Sequence, residues 1–168
     1  MPSKNKKSQV AIVMGSDSDL PVMQNCIDQL KQFGIDPIVR IISAHRTPDI
    51  AADFSDNAEK NGVKVIIAAA GMAAHLAGSI AARTSLPVIG VPMQASSGPG
   101  GLDALLSTVQ MPPGIPVATV AIGKAGAKNA AVLAVQMLAL SDEDMKKKLK
   151  DFRAEQTQAV LKKDAALD

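Results

Sequence analysis

Only two histidines occur in the 168 residues, and each stands in a polar segment just after a β-branched apolar run: His45 in SAHRTP (43 to 48) and His75 in AAGMAAHLAG (69 to 78). An imidazole with a reference pKa of about 6.5 can give and take a proton near neutrality at small cost. Beside His45, Ser43 and Arg46 are natural phosphate ligands, the arginine by charge and by its paired donors. A third segment, GSDSD (15 to 19), follows another apolar run. Gly15 allows a sharp turn, Ser16 and Ser18 offer hydroxyls, and the free amides of a following helix favour an anion. The carboxylate of Asp19 suits ribose hydroxyls better than a phosphate.

Taken singly, each residue has an ordinary structural explanation. Ser18 or Asp19 can cap a helix, His45 can satisfy a backbone carbonyl, Thr47 and Pro48 can serve only the next helix, and His75 can contact backbone at a helix start. The weight shifts when the elements that carry the three segments are read together.

Those elements are short apolar runs with helical patterns between them: VAIVM (10 to 14), PIVRII (37 to 42), VKVIIAA (63 to 69), PVIGV (87 to 91) and PVATVAI (116 to 122). They do not alternate, as expected of parallel strands covered on both faces. Helix punctuation fills the gaps. Pro21 opens a helix that closes at Gly34, and Thr47 as cap with Pro48 opens one that closes at Asn61-Gly62. Others run from about Ala74 to Arg83, Leu102 to Val109 and Ala127 to Leu140. The expected architecture is a doubly wound α/β domain spanning 1–168, with a frayed tail at 1–8. In such a sheet ligands bind beyond the carboxyl ends of the strands, where all three polar segments would converge.

A last helix, about Asp142 to Lys163, has a thin apolar stripe of Met145, Leu149, Phe152 and Val160. Such a stripe does not belong to the central core, which leaves a helix packed on the surface or one docked on a neighbouring subunit, and docking is the expectation for 142–168.

Charge excludes other partners. The net +2 comes from Lys4, Lys6 and Lys7 at the start; Ser8 to Ser141 carries one more acid than base, and the remainder is neutral. No basic face for nucleic acid is implied, and with three Phe, no Trp and no Tyr there is no stacking platform. The single cysteine, Cys26, permits no intrachain disulfide and suits a reducing cytoplasm. MPSKNKKSQ lacks the apolar core of a signal peptide, and the longest apolar stretch (130 to 140) is too short to cross a bilayer. Two histidines without a third ligand do not make a metal site. Neither a GxxxxGK[ST] loop nor a dinucleotide fingerprint is present, so no cofactor is expected.

GSDSD, SAHRTP, AAGMAAHLAG, VPMQ and VQMPPGIPVATVAIGKAGAKNAAVLAVQML together resemble the PurE family of purine biosynthesis, over residues 9 to about 160. The resemblance implies a flavodoxin-like three-layer α/β/α sandwich with strand order 2-1-3-4-5 and an extra C-terminal helix, assembled as an octamer with active sites where subunits meet. It implies Ser16, Ser43 and Arg46 around the phosphate of a small ribonucleotide, Asp19 on its ribose, and Ser18 among the substrate-binding residues. It places the backbone of Ala70, Gly71 and Ala73 around the imidazole of the substrate, His75 beside the substrate carboxylate, Leu76 among the substrate-binding residues, and His45 as the acid-base group. Met72 and Ala77 depart from the family pattern GGAAHLPG, standing where a glycine and a proline are usual.

The reaction implied moves a carboxylate from an exocyclic nitrogen to a ring carbon of one molecule. A single imidazole in a closed, water-poor pocket could shuttle the proton this requires. Arg46-Thr47 resembles this mutase branch more than the branch that adds free carbon dioxide. A signalling receiver module could share the fold and find an acidic cluster in Asp17 and Asp19. It would also need an aspartate ending the third strand, where Ala68, Ala69 and Ala70 stand.

Overall fold

The computed structural model describes residues 8–96 and 98–167, so the tail expected at 1–8 lies, except for Ser8, outside the described residues. Strands β1 (Val10–Met14), β2 (Ile38–Ile41), β3 (Val65–Gly71), β4 (Val88–Met93) and β5 (Ala118–Thr119) form one sheet in the order β2-β1-β3-β4-β5. Every neighbouring pair is parallel. The helices are α1 (Leu20–Gln32), α2 (Pro48–Asn57), α3 (Leu76–Ala81), α4 (Leu102–Val109), α5 (Gly123–Ala139) and α6 (Glu143–Asp164). This is the flavodoxin-like arrangement, with a helical layer on each face of the sheet.

Alternate residues of the inner strands feed two separate cores. Val10, Ile12 and Met14 pack with α1 and the alanine-rich α5, while Ala11 and Val13 pack with α2 and α3. Both sets are at most 1% exposed, which is why β1 is apolar at every position. α4 completes the second face through Thr108, whose methyl occupies the space a Cβ on Gly90 of β4 would need. Glycine there allows helix and sheet to close together.

The edges of the sheet depart from the expectation of two-sided cover. Val39, Arg40 and Ile41 of β2 are exposed, because an edge strand lacks a neighbour whose helices could reach across it. β5 is shorter than the run 116 to 122. Pro116 has no N–H to give the ladder, and pairing continues past Thr119 only through Val120 N–H to Gly90 O before α5 begins at Gly123, earlier than Ala127. α2 ends at Asn57, short of Asn61-Gly62, yet the turn there still closes: Gly62 has φ 91° and Val63 N–H returns to Ala58 O. α1 ends as expected, with Gly34 at φ 81°.

The last helix also differs in part. Met145 is buried in the α1/α5 core, Leu149 and Phe152 pack against that core, and the Phe152 ring meets Phe33 edge to face at 5.2 Å. The first half of α6 therefore belongs to its own core, because the end of α1 and the outer face of α5 leave a groove for it. Val160 and Leu161 remain 66% and 54% exposed.

Candidate active site

The register of the first three strands brings their carboxyl ends together. Gly15 N–H donates to Ala69 O at 3.0 Å, tying the loop after β1 to β3, and Ile42 N–H donates to Met14 O at 2.8 Å, tying β2 to β1. Arg46 then reaches across from the second loop, its Nη2 donating to Gly15 O at 3.0 Å.

The second loop is held by its own side chains. Arg46 N–H donates to Ser43 Oγ at 3.1 Å, Thr47 Oγ1 donates to Ser43 O at 3.0 Å, and Ser43 N–H donates to Thr47 Oγ1 at 3.0 Å. Thr47 occupies the position before α2, but its hydroxyl makes no capping bond there. It closes the Ser43 turn instead, which fixes where the backbone presents His45 and Arg46.

A cavity of about 460 Å³ opens between the first two loops, lined by Gly15, Ser16, Asp17, Ile41, Ser43, Arg46 and Thr47. Of the residues named from sequence, Ser16, Ser43 and Arg46 line it; Ser18, Asp19, His45, Ala70, Gly71, Ala73, His75 and Leu76 do not. Thr47, read from sequence only as a helix cap, Asp17, read only as a receiver-type acid, and Ile41 are additional lining residues. The signal for Ile41 was its place as the last residue of an edge strand, where the side chain borders the carboxyl rim.

Beside the cavity the two histidines meet. His45 Nε2 and His75 Nδ1 are 2.8 Å apart, with the rings at 82°. The sequence alone assigns His75 to backbone or substrate and does not pair it with His45. Both rings are exposed, so the closed, water-poor pocket expected from sequence is not formed by this chain alone. One proton lies between the bonded nitrogens. In the neutral pair the outer nitrogens, His45 Nδ1 and His75 Nε2, must then be one donor and one acceptor, and they exchange roles only if the bridging proton crosses while one outer nitrogen gives up a proton and the other takes one. Arg83 at the end of the α3 segment bonds Asp56 of α2 at 2.6 Å, bracing the two helices that follow the histidine loops.

Asp19 precedes α1 without capping it through its side chain, and its carboxylate sits half-buried beside the Ser16 backbone. Burial raises its pKa above the ordinary value, a backbone hydrogen bond at Ser16 opposes this, and the charge of Asp17 adds to the rise. The 3-10 turn Asp17–Asp19 is capped by Ser16, whose Oγ accepts from Ser18 N–H at 3.3 Å.

In the third loop Gly71 passes close to β4: a Cβ there would lie 3.3 Å from Met93 O. Met72 adopts φ 57°, a left-handed conformation that glycine takes without penalty. Leu76 is 2% exposed and its side chain belongs to the α2/α3 core, so only its backbone is open to a ligand role. Among the described residues no group of three or more His, Cys, Asp or Glu could hold a metal. No helix among them is long and apolar enough to cross a membrane.

A parallel sheet in this order, with a cavity lined by Arg46, Asp17 and serine and threonine hydroxyls beside a histidine pair at its carboxyl rim, defines a flavodoxin-like α/β protein. The chain belongs to the AIR carboxylase family, whose model matches residues 9–159. N5-carboxyaminoimidazole ribonucleotide mutase of Escherichia coli K12 is 53% identical over 161 residues, covering 96% of this chain and 95% of that one. The protein of the same name from Vibrio parahaemolyticus is 54% identical, covering 91% and 94%. That from Saccharolobus solfataricus is 52% identical, covering 91% and 95%. The crystal structure of Treponema denticola PurE superposes with a TM-score of 0.84 at 30% identity, covering 95% of this chain and 98% of that one.

Proposed function

We propose that this chain is an isomerase of purine biosynthesis that converts N5-carboxyaminoimidazole ribonucleotide into 4-carboxy-5-aminoimidazole ribonucleotide. The observation that carries the reading is the His45–His75 contact beside the cavity of Ser43 and Arg46: acid-base groups sit next to a place for a phosphate. The named relatives, similar over more than nine-tenths of the chain, support the same activity.

In this reading Arg46, Ser43 and Ser16 hold the phosphate, Asp19 accepts from the ribose, and the backbone of Ala70, Gly71 and Ala73 meets the imidazole ring. His45 protonates the carbamate nitrogen, the N–C bond breaks, and carbon dioxide is released next to aminoimidazole ribonucleotide. The ring carbon then attacks that carbon dioxide, and His45, now neutral, removes the proton from the same carbon. Protons balance over the cycle, so no acid or base is consumed. His75 orients the His45 ring and faces the migrating carboxylate.

Exposed imidazoles do not by themselves retain carbon dioxide, so the reading includes closure of the rim by a neighbouring copy. The chain, acting as one catalytic domain, assembles as a homo-oligomer, an octamer, in the cytoplasm. Val160 and Leu161 on α6 and Val39 and Ile41 on the sheet edge are among the exposed apolar residues that it could cover.

The test is to follow loss of N5-carboxyaminoimidazole ribonucleotide with the purified protein. The family's description favours one other activity, carboxylation of aminoimidazole ribonucleotide by free carbon dioxide. Faster turnover of aminoimidazole ribonucleotide with bicarbonate than of the carbamate would replace the mutase reading with that one.

A further inference from the structure

The donors that should receive the phosphate are not idle in the free chain. Asp17 Oδ1 accepts from Ser16 Oγ at 3.1 Å and from Ser18 N–H at 3.1 Å. Ser18 Oγ in turn donates to Ser16 Oγ at 2.9 Å. Asp17 lines the cavity wall together with Ser16, Ser43 and Arg46. Arg46 itself is held by neutral acceptors, Gly15 O at 3.0 Å and Ser43 Oγ at 3.5 Å, and among the described residues it forms no ion pair.

An anion of the protein's own therefore occupies the hydroxyl and amide donors, while the guanidinium on the opposite wall keeps its charge. A carboxylate carries one negative charge and two oxygens. A phosphate monoester carries close to two charges and three free oxygens, so it can take the same serine donors and engage Arg46 as well. A neutral ligand of the same shape has nothing to exchange for the carboxylate.

We propose that Asp17 is a stand-in for the ligand's phosphate, holding the Ser16 and Ser18 donors in place until a phosphate monoester displaces it. Once displaced, its charge lies near the bound dianion and weakens it. Asp17 thus sets affinity and release and takes no part in the chemistry. Its charge already acts on its surroundings, adding to the raised pKa of Asp19. The inference rests on the reading that these loops bind phosphate.

The test uses the full chain, ribose 5-phosphate as a competitive inhibitor, and the variants Asp17→Asn and Asp17→Ala. Asp17 is exposed, so both variants should keep the wild-type thermal midpoint. Removing one exposed charge from beside the dianion should lower the inhibition constant by about three-fold, the scale of an exposed ion interaction. KM should fall in parallel. An inhibition constant that is unchanged or raised in both variants overturns the stand-in role. Arg46→Ala in the same assay separates the two readings. If that variant binds ribose 5-phosphate as well as the wild type does, the phosphate is elsewhere and the proposal falls for that reason.

Discussion

His45 Nε2 bonds His75 Nδ1 at 2.8 Å across 30 residues of sequence, joining the loop after β2 to the loop after β3. Each ring thereby fixes the tautomer of the other. The pair can present a donor and an acceptor to a substrate at once, with His45 the ring that first gives and then takes the proton.

His45→Asn should lower kcat by about 10²- to 10⁴-fold, the usual contribution of a positioned acid-base group. His75→Asn should lower it by roughly tenfold, since the acid-base ring remains but is no longer oriented. The double variant should lose little beyond His45→Asn alone, because the two act as a unit. Steady-state assays of the four proteins check this, and multiplicative losses would show the rings to be independent.

Arg46→Ala removes a charge-assisted donor and should raise KM by roughly 10- to 100-fold with a smaller effect on kcat. Arg46→Lys should recover only part of the loss, since an ammonium cannot reproduce the paired donor geometry. A fall in kcat with KM unchanged would move Arg46 away from the phosphate.

Asp19 gives a pH-dependent prediction with a definite sign. Its pKa is raised in the folded chain, chiefly by burial, so the protonated form is the one folding favours. The stabilising contribution is full below the ordinary carboxylate pKa and is lost as pH rises through the raised value. Asp19→Asn should then be more stable than the wild type at pH 7, with the difference vanishing in acid below the usual range of a carboxylate. Denaturant titrations at several pH values measure it, and KM should rise in the same variant as the ribose contact is lost.

Met72 is 65% exposed and sits at φ 57°, where a side chain costs about 1 kcal/mol that glycine avoids. Met72→Gly should therefore raise stability by up to about 1 kcal/mol, less whatever the freer unfolded chain takes back. Ala77→Pro tests the other departure in the loop. A proline at the second position of α3 has no helical acceptor to forgo, so stability should change by less than about 1 kcal/mol.

Assembly can be tested without disturbing the core. Val160→Glu with Leu161→Glu changes only exposed positions of α6, so the fold should survive while sedimentation shifts to smaller species. Unchanged sedimentation would leave the far half of α6 without a subunit role. Removing all of 142–168 is the weaker test, since Met145 and Phe152 belong to the core.

What the sequence determined by itself is local or periodic. Unbroken apolar runs required strands covered on both faces, proline and glycine marked the helix ends, and polar segments after three successive runs marked one rim of a parallel sheet. These follow from backbone sterics and burial, which are written residue by residue. The long alanine-rich α5 and the inner strands β1, β3 and β4 were legible for that reason.

Tertiary structure alone decided which polar groups face one another. Nothing in SAHRTP or AAGMAAHLAG says that His45 and His75 share a proton; the parallel pairing of β1 with both β2 and β3 brings their loops into reach. Nothing in GSDSD says that Asp17 takes the donors its neighbouring serines offer, since that depends on how the 3-10 turn orients three side chains. The first half of α6 joined the core because Phe33, more than a hundred residues earlier, left a groove for Phe152. Distances between side chains from different strands are set by how the whole sheet packs, and no window of sequence contains them.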